Sequence, residues 1–429
     1  MNSDSHIRIR RNGGFFIYNM PKDVPISPWR VLLPVGLGAG LSLMGDSSLY
    51  AVLPTHTVEA DVSLASVGVL LSANRFIRLL FNVPAGLAFD RWFRRPLFGA
   101  ALFCGAGSTA CYALTQGFWP LLLGRLLWGL AWVGIWVGGN TIIMDVSDYH
   151  SRGRWVGFYQ IFFFLGASGG AIIGGLLTDW LGYHRAMGIS AGLTLVGAIV
   201  ALILLPETRY FRQTKSESAV VDSILPLKPA HRAELISAIA LLGLNRLLVP
   251  GLLASTFGLL LLAQLRESIQ LAGYTVGVAT LTGLGLGSQS LLAMAAAPLL
   301  GGLSDRTVSR WQVVAGGLSP GVAGFGLLAL GSPLAILTGL PLAAVTSGSN
   351  QSLSTAIVGD LAGHGHHGRQ LGWLFTVGDL ASAIGPPLAY ALIPWLGLSW
   401  LYGLAAGLLA LMLVVAGRWS IKSGALAQK

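Results

Sequence analysis

Six ionisable side chains fall inside long apolar stretches of the sequence: Asp46, Asp379, Arg75, Arg78, Arg125 and Arg246. A charge in hydrocarbon is costly, and such groups mark ion or substrate pathways by default. In any carboxylate–arginine pair the carboxylate is the member that titrates, because arginine keeps its proton. Asp46 lies about 12 Å from the outer end of its stretch, and Arg125 about 9 Å from the outer end of its own, at 1.5 Å per helical residue. The similar depth suggests a pair whose protonation is linked to substrate. A static ion pair is the plainer alternative. Arg75, Arg78 and Asn82 recur at i, i+3 and i+7 and share one helix face. Asp379 sits near mid-depth, as Arg78 does, which leaves open a bridge from Asp379 to Arg78 or Arg75 where the two helices meet. That bridge would serve either movement or simple neutralisation of buried charge.

Beside these charges lie candidate binding surfaces. Trp128, Trp132 and Trp136 fall on one stripe with Arg125, ending at Asn140. If Arg125 avoids lipid, the tryptophans face inward with it, and their ring faces suit amphipathic or cationic molecules. Ordinary helix packing would give the same stripe. A second, polar stripe is Thr346, Asn350 and Ser354, flanked by Ser347 and Gln351, and Gln160 and Gln289 add hydrogen-bonding capacity. Such a cavity fits an amphipathic organic compound better than a small ion. Four intramembrane arginines against two aspartates leave the charge of that compound open.

The elements holding these residues are apolar helices. Hydrophobic residues make up 54% of the 429 and charged residues 10%, with mean hydropathy +0.69. A soluble protein carries about 25% charged residues, so lipid must cover most of this surface. Twelve stretches are long enough to span a bilayer, near 30–53, 66–88, 96–115, 119–144, 155–179, 186–205, 241–264, 275–300, 310–330, 334–358, 370–394 and 398–417. Strand-type alternation is absent, which argues against a β-barrel. They group into a basic leader (1–28), a first bundle (29–206), a linker (207–233), a second bundle (234–418) and a tail (419–429). No apolar run with a cleavage site precedes the first span.

The net charge of +10 is a topology signal and does not point to nucleic acid. With the N-terminus inside, 21 of the 27 Lys and Arg fall on the cytoplasmic side and only Arg185 and Arg266 outside. That is the positive-inside bias, and it places both termini in the cytoplasm. Cys104 and Cys111 stand about 10 Å apart along one helix, too far for a disulfide. The loop carrying His364, His366 and His367 is read as flexible and polar, with a metal or pH-sensing role as the alternative. The sequon at Asn350 lies inside a span, where glycosylation is implausible.

The chain also repeats itself 215 residues apart. Gly86, Asp90 and Arg91 recur as Gly301, Asp305 and Arg306, then Asp145 as Asp360, Arg154 as Arg369, Gly157 as Gly372 and Gly170 as Gly385. On these residues the sequence resembles the major facilitator superfamily over nearly its whole length. That family's G-x-x-x-D-R-x-G-R-R/K loop reads here as Gly86, Asp90, Arg91, Arg94 and Arg95, with Phe93 at the second glycine. Arg125 with Gly129, and Pro206-Glu207-Thr208, are further matches. The fifth span carries Gly157, Gly166, Gly170, Gly174 and Gly175, similar to the pattern of proton-coupled drug antiporters, with Ala171 in place of its proline. Glycines at such spacing also permit close helix packing at any interface.

The resemblance implies two pseudo-symmetric six-helix bundles around a midplane site, working by alternating access. It implies that spans 1 and 4 line the cavity, and that spans 2 and 11 meet between the halves. Asp90 and Asp305 would gate the inner side by pairing with neighbouring arginines or capping a helix. The expected activity is proton-coupled export of an amphipathic compound by a monomer in the plasma membrane. Uptake of a sugar or organic anion is the alternative within that class. A membrane enzyme or a transport-inactive receptor or scaffold are readings from other classes, and no catalytic motif favours the first. No cofactor or metal is expected, and without a Walker A sequence the proton gradient is the energy source.

Overall fold

The computed structural model describes residues 10–11, 14–15, 27–147, 151–209, 229–265, 268–271, 274–307, 309–361 and 367–427. Most of the basic leader and linker, with His364 and His366, lie outside them; the His367 side chain does too.

Helices dominate. In the first half these are α1 (Pro28–Val52), α2 (Leu64–Arg91), α3 (Arg94–Leu114), α4 (Phe118–Val146), α5 (Arg152–Leu181) and α6 (Tyr183–Leu204). The second half has α7 (Pro229–Arg246), a π-helical turn (Leu247–Leu253), α8 (Ala254–Leu265), α9 (Val278–Ser304), α10 (Arg310–Leu330), α11 (Pro333–Leu361) and α12 (His367–Ala427). Two hairpins complete the list: β1 (Arg10–Arg11) with β2 (Gly14–Phe15), and β3 (Ser268–Leu271) with β4 (Tyr274–Gly277).

Among the described residues, ten helical stretches are long and apolar enough to cross a membrane. The twelve expected spans are therefore not twelve separate apolar helices. The seventh is a rod of three pieces, in which Pro250 supplies no N–H and the backbone widens to a π turn. The last two run together through α12, broken only where Gly397 takes φ 72°. The polar run from Thr346 to Thr355 lowers the hydropathy of α11, although it has the length of a span. Exposed tryptophans ring the helix ends on one side, at Trp119, Trp180, Trp395 and Trp400, as at a membrane–water interface.

Within the first half α5 packs along α1, and α3 packs on α4 and α6. The fifth-span glycines make the first of these contacts close. A methyl at Gly166 would collide with Gly40, at Gly170 with the Met44 backbone, and at Gly174 with Ser48. Ser48 Oγ donates to the Gly170 carbonyl at 2.8 Å. In the second half Gly385, the repeat of Gly170, meets Gly251 backbone to backbone. Gly157 is the exception to the packing reading: it has open space, so no close approach requires a glycine there.

The halves meet through α5 on α9 and α2 on α12. Gly175 faces the Ala279 carbonyl, and reciprocally Gly283 faces the Ala171 carbonyl. Gly68 faces the backbone of Pro386 and Pro387. All these contacts lie toward the end opposite the linker, called the far end below. Toward the linker end the halves part: residues 76–88 of α2 hold no buried side chain, while 67–75 are continuously buried except at Val69.

Candidate functional site

The centre of the molecule holds the charges. Arg125, fully buried on α4, donates from Nη1 to Asp46 Oδ1 on α1. Its Nε donates to the Leu70 carbonyl at 2.9 Å and its Nη2 to the Leu71 carbonyl at 3.2 Å. One guanidinium thus ties α4 to both α1 and α2. Tyr50 lies between it and Arg75, each guanidinium 5.4 Å from the ring centroid, and the Tyr50 hydroxyl donates to the Leu71 carbonyl at 2.6 Å.

Two arginines of α2 reach across to the other half. Arg78 Nη2 bonds Asp379 Oδ1 at 3.0 Å on α12, and its guanidinium lies 5.6 Å from a Trp132 ring centroid. Arg75 donates to the carbonyl of Ser382 and, at 2.9 Å, to that of Pro250 in the π turn. Carbonyls satisfy its hydrogen bonds without neutralising its charge.

The tryptophan stripe divides. Trp132 and Trp136 stack at 5.5 Å and 21°, with Phe163 against both. Trp128 does not line a cavity. It is 2% exposed and packs toward Gly105 on α3, where the missing side chain makes room for the indole. Asn140 turns back to the Trp136 carbonyl at 2.7 Å, and Gln160 is exposed while Gln289 is buried. The polar stripe also differs from expectation. Thr346 bonds the Gly317 carbonyl on α10 at 2.7 Å, and Ser354 bonds its own helix at Asn350. Asn350 is fully buried with neither amide atom bonded, and Gln351 is half-buried. Small residues let α10 and α11 close together, so most of this stripe is interior to its bundle.

The loop-motif arginines do not bridge the halves either. Arg94 bonds Asp145 at 3.0 Å, and Glu207 caps α3 by accepting from the backbone N–H groups of Arg94 and Arg95. Arg95 also donates to the Leu202 carbonyl. Arg310 bonds Asp305 at 2.6 Å and Asp360 at 2.5 Å, beside a pocket of about 330 Å³ that Glu234 and Trp311 help to line. These contacts stay within one half and brace helix ends. Asp90, Arg91 and Arg306 are exposed at those ends, and Gly86 and Gly301 make no tight contact.

Asp179 was not among the sequence candidates. At the end of α5 it accepts from the Thr280 N–H at 2.7 Å, capping α9 of the other half. Glu59 does the same for α6 through Tyr183. A carboxylate just before a loop on the Arg-poor side was the available signal.

Two helical bundles around a buried charge cluster, sheathed in apolar side chains, define a multi-pass membrane transporter. The family model described as Major Facilitator Superfamily matches residues 35–340 and 277–425, and the chain belongs to that family. It is 24% identical over 388 residues to the class C tetracycline resistance protein of Escherichia coli, covering 89% of this chain and 95% of that one. It is 30% identical to the class B protein of Escherichia coli over 186 residues, 46% of that protein. Its fold is similar to a bacterial homologue of the human lysosomal transporter Spinster in an inward-facing, occupied conformation. That likeness has TM-score 0.72 at 16% identity, covering 93% of this chain and 97% of that one.

Proposed function

We propose that this transporter works by alternating access and exports an amphipathic organic compound in exchange for protons. The observation that carries this reading is the buried Asp46–Arg125 pair joining α1, α4 and α2. Of the two, only Asp46 can exchange a proton. Protonation would remove the ion pair while leaving Arg125 on its two α2 carbonyls, so α1 would be released from the clamp. Because a broken buried pair costs about 3–5 kcal/mol, the event is large enough to bias a two-state equilibrium.

The relatives named for tetracycline resistance support export and the drug-antiporter branch. We read twelve spans with both termini cytoplasmic, on the Lys and Arg bias. The far-end closure then corresponds to an inward-open state. Trp132, Trp136 and Phe163 offer the aromatic wall, and Arg78–Asp379 is a contact to be remade during rocking. The reading takes the transporter as a monomer in the bacterial inner membrane.

The test is proton movement in proteoliposomes on addition of amphipathic organic compounds, with Asp46→Asn as control. Substrate-induced proton flux lost in Asp46→Asn is expected. Flux that persists in the variant would remove Asp46 from coupling.

A further inference from the structure

The central charges do not balance. Arg75 lies within electrostatic range of Arg78, Arg125 and Asp46, and Arg246 within range of Asp379, Arg78 and Arg75. Among the described residues, four guanidinium groups from both halves therefore share one field with two carboxylates. A surplus of positive charge in a low-dielectric interior is unstable unless something compensates it.

The four differ in how they are engaged. Arg125 spends Nε and both terminal nitrogens on Asp46 and α2 carbonyls. Arg75 is held by two carbonyls from the other half. Arg78 shares Asp379 but leaves its Nε buried without a partner. Arg246 makes no hydrogen bond or ion pair among the described residues, although it is only partly buried on the last turn of α7. Its Cγ stands close to Gly378 on α12, where a Cβ would come within 3.4 Å of it. Gly378, next to Asp379, thus packs against the aliphatic stem of Arg246.

Resting on the transporter reading above, we infer that Arg246, with Arg78 beside it, receives the anionic group of the substrate: a carboxylate, sulfonate or phosphate ester on an aromatic body. A guanidinium fork matches planar oxyanions, and one anion offsets part of the surplus. Arg78 lies against both the charge cluster and the buried Trp132 ring, so the half-buried Trp136 and Phe163 packed on Trp132 lie where the apolar body of such a molecule extends. An organic cation would enter a field of like sign.

The test uses three probes that share one ring system: 1-naphthoate, 1-naphthamide and 1-naphthylmethylammonium. Binding to the purified full-length protein is measured by calorimetry, and transport in proteoliposomes. Naphthoate is expected to bind at least tenfold tighter than the other two. Arg246→Gln weakens naphthoate binding tenfold or more, and Arg246→Lys weakens it less. Without ligand, Arg246→Gln melts no lower than the wild type, because it removes an uncompensated charge; naphthoate raises the melting temperature of the wild type only. The probe preference of the unmutated protein needs no variant to fold. Equal or tighter binding of the amide or the ammonium overturns the assignment, as does wild-type naphthoate affinity in Arg246→Gln. Transport of the ammonium would do so while leaving the transporter reading intact. Naphthoate binding without any proton-linked movement would instead remove the coupling reading and keep the anion site.

Discussion

Asp179 Oδ2 accepts a hydrogen bond from the Thr280 backbone N–H at 2.7 Å, joining the end of α5 to the first turn of α9. The carboxylate belongs to one half and the helix N-terminus to the other. Charge and dipole are complementary there, so the contact favours closure at the far end. Asp179→Ala should shift the balance of states by on the order of 1 kcal/mol, about fivefold. Labelling of a cysteine placed at Thr280 by a membrane-impermeant maleimide should rise accordingly. Unchanged labelling would make Asp179 a local cap without influence on closure.

Arg125 is predicted to be costlier to remove alone than together with its partner. Arg125→Leu leaves the partly buried Asp46 without its ion-pair partner, at up to about 3–5 kcal/mol. The double variant Arg125→Leu/Asp46→Leu should recover much of that loss. Thermal unfolding of the four proteins in detergent closes the cycle. Simple additivity would mean that the two side chains do not stabilise each other.

Glu207 offers a contrasting case, because the three backbone N–H groups that donate to its carboxylate (those of Arg94, Arg95 and Arg209) all stay in one region of the first half. Glu207→Ala should lower stability by about 1 kcal/mol through the lost cap. The population open at the far end should not change. A change in cysteine labelling at Thr280 would assign this corner a part in gating after all.

The fifth-span glycines should separate by position. Gly166→Ala forces Gly40 away and should cost about 1–3 kcal/mol, whereas Gly157→Ala meets nothing and should gain up to about 1 kcal/mol from helix propensity. Melting temperatures in detergent decide it. Equal effects at both positions would break the link between the motif and packing.

What could be read from sequence follows the scale of each signal. The 215-residue repeat and the long apolar runs are collective patterns, and the two bundles follow them. Counting depth along a helix put Asp46 level with Arg125, and the side chains do meet, although contact alone assigns no role. Periodicity places residues on a face but does not say what covers it. Hence Trp128 shares a stripe with Trp132 yet points into α3, and Thr346 turns to α10. The π turn at Leu247–Leu253 depends on tertiary support for a proline inside a span. Asp179 sits at a helix end, where a carboxylate in the sequence carries no signal of burial in hydrocarbon.

The meeting of α5 with α9 is made of glycine against carbonyl in both directions, Gly175 on Ala279 and Gly283 on Ala171. Apart from the Asp179 cap and the Ile172 side chain against Gly287, the contacts described on this seam are backbone against backbone. Its cohesion comes from close backbone contact and weak Cα–H···O approaches, each small and each re-formed without a search. This seam behaves as a bearing: it carries load when shut, parts without unlocking, and would jam if either glycine gained a single methyl.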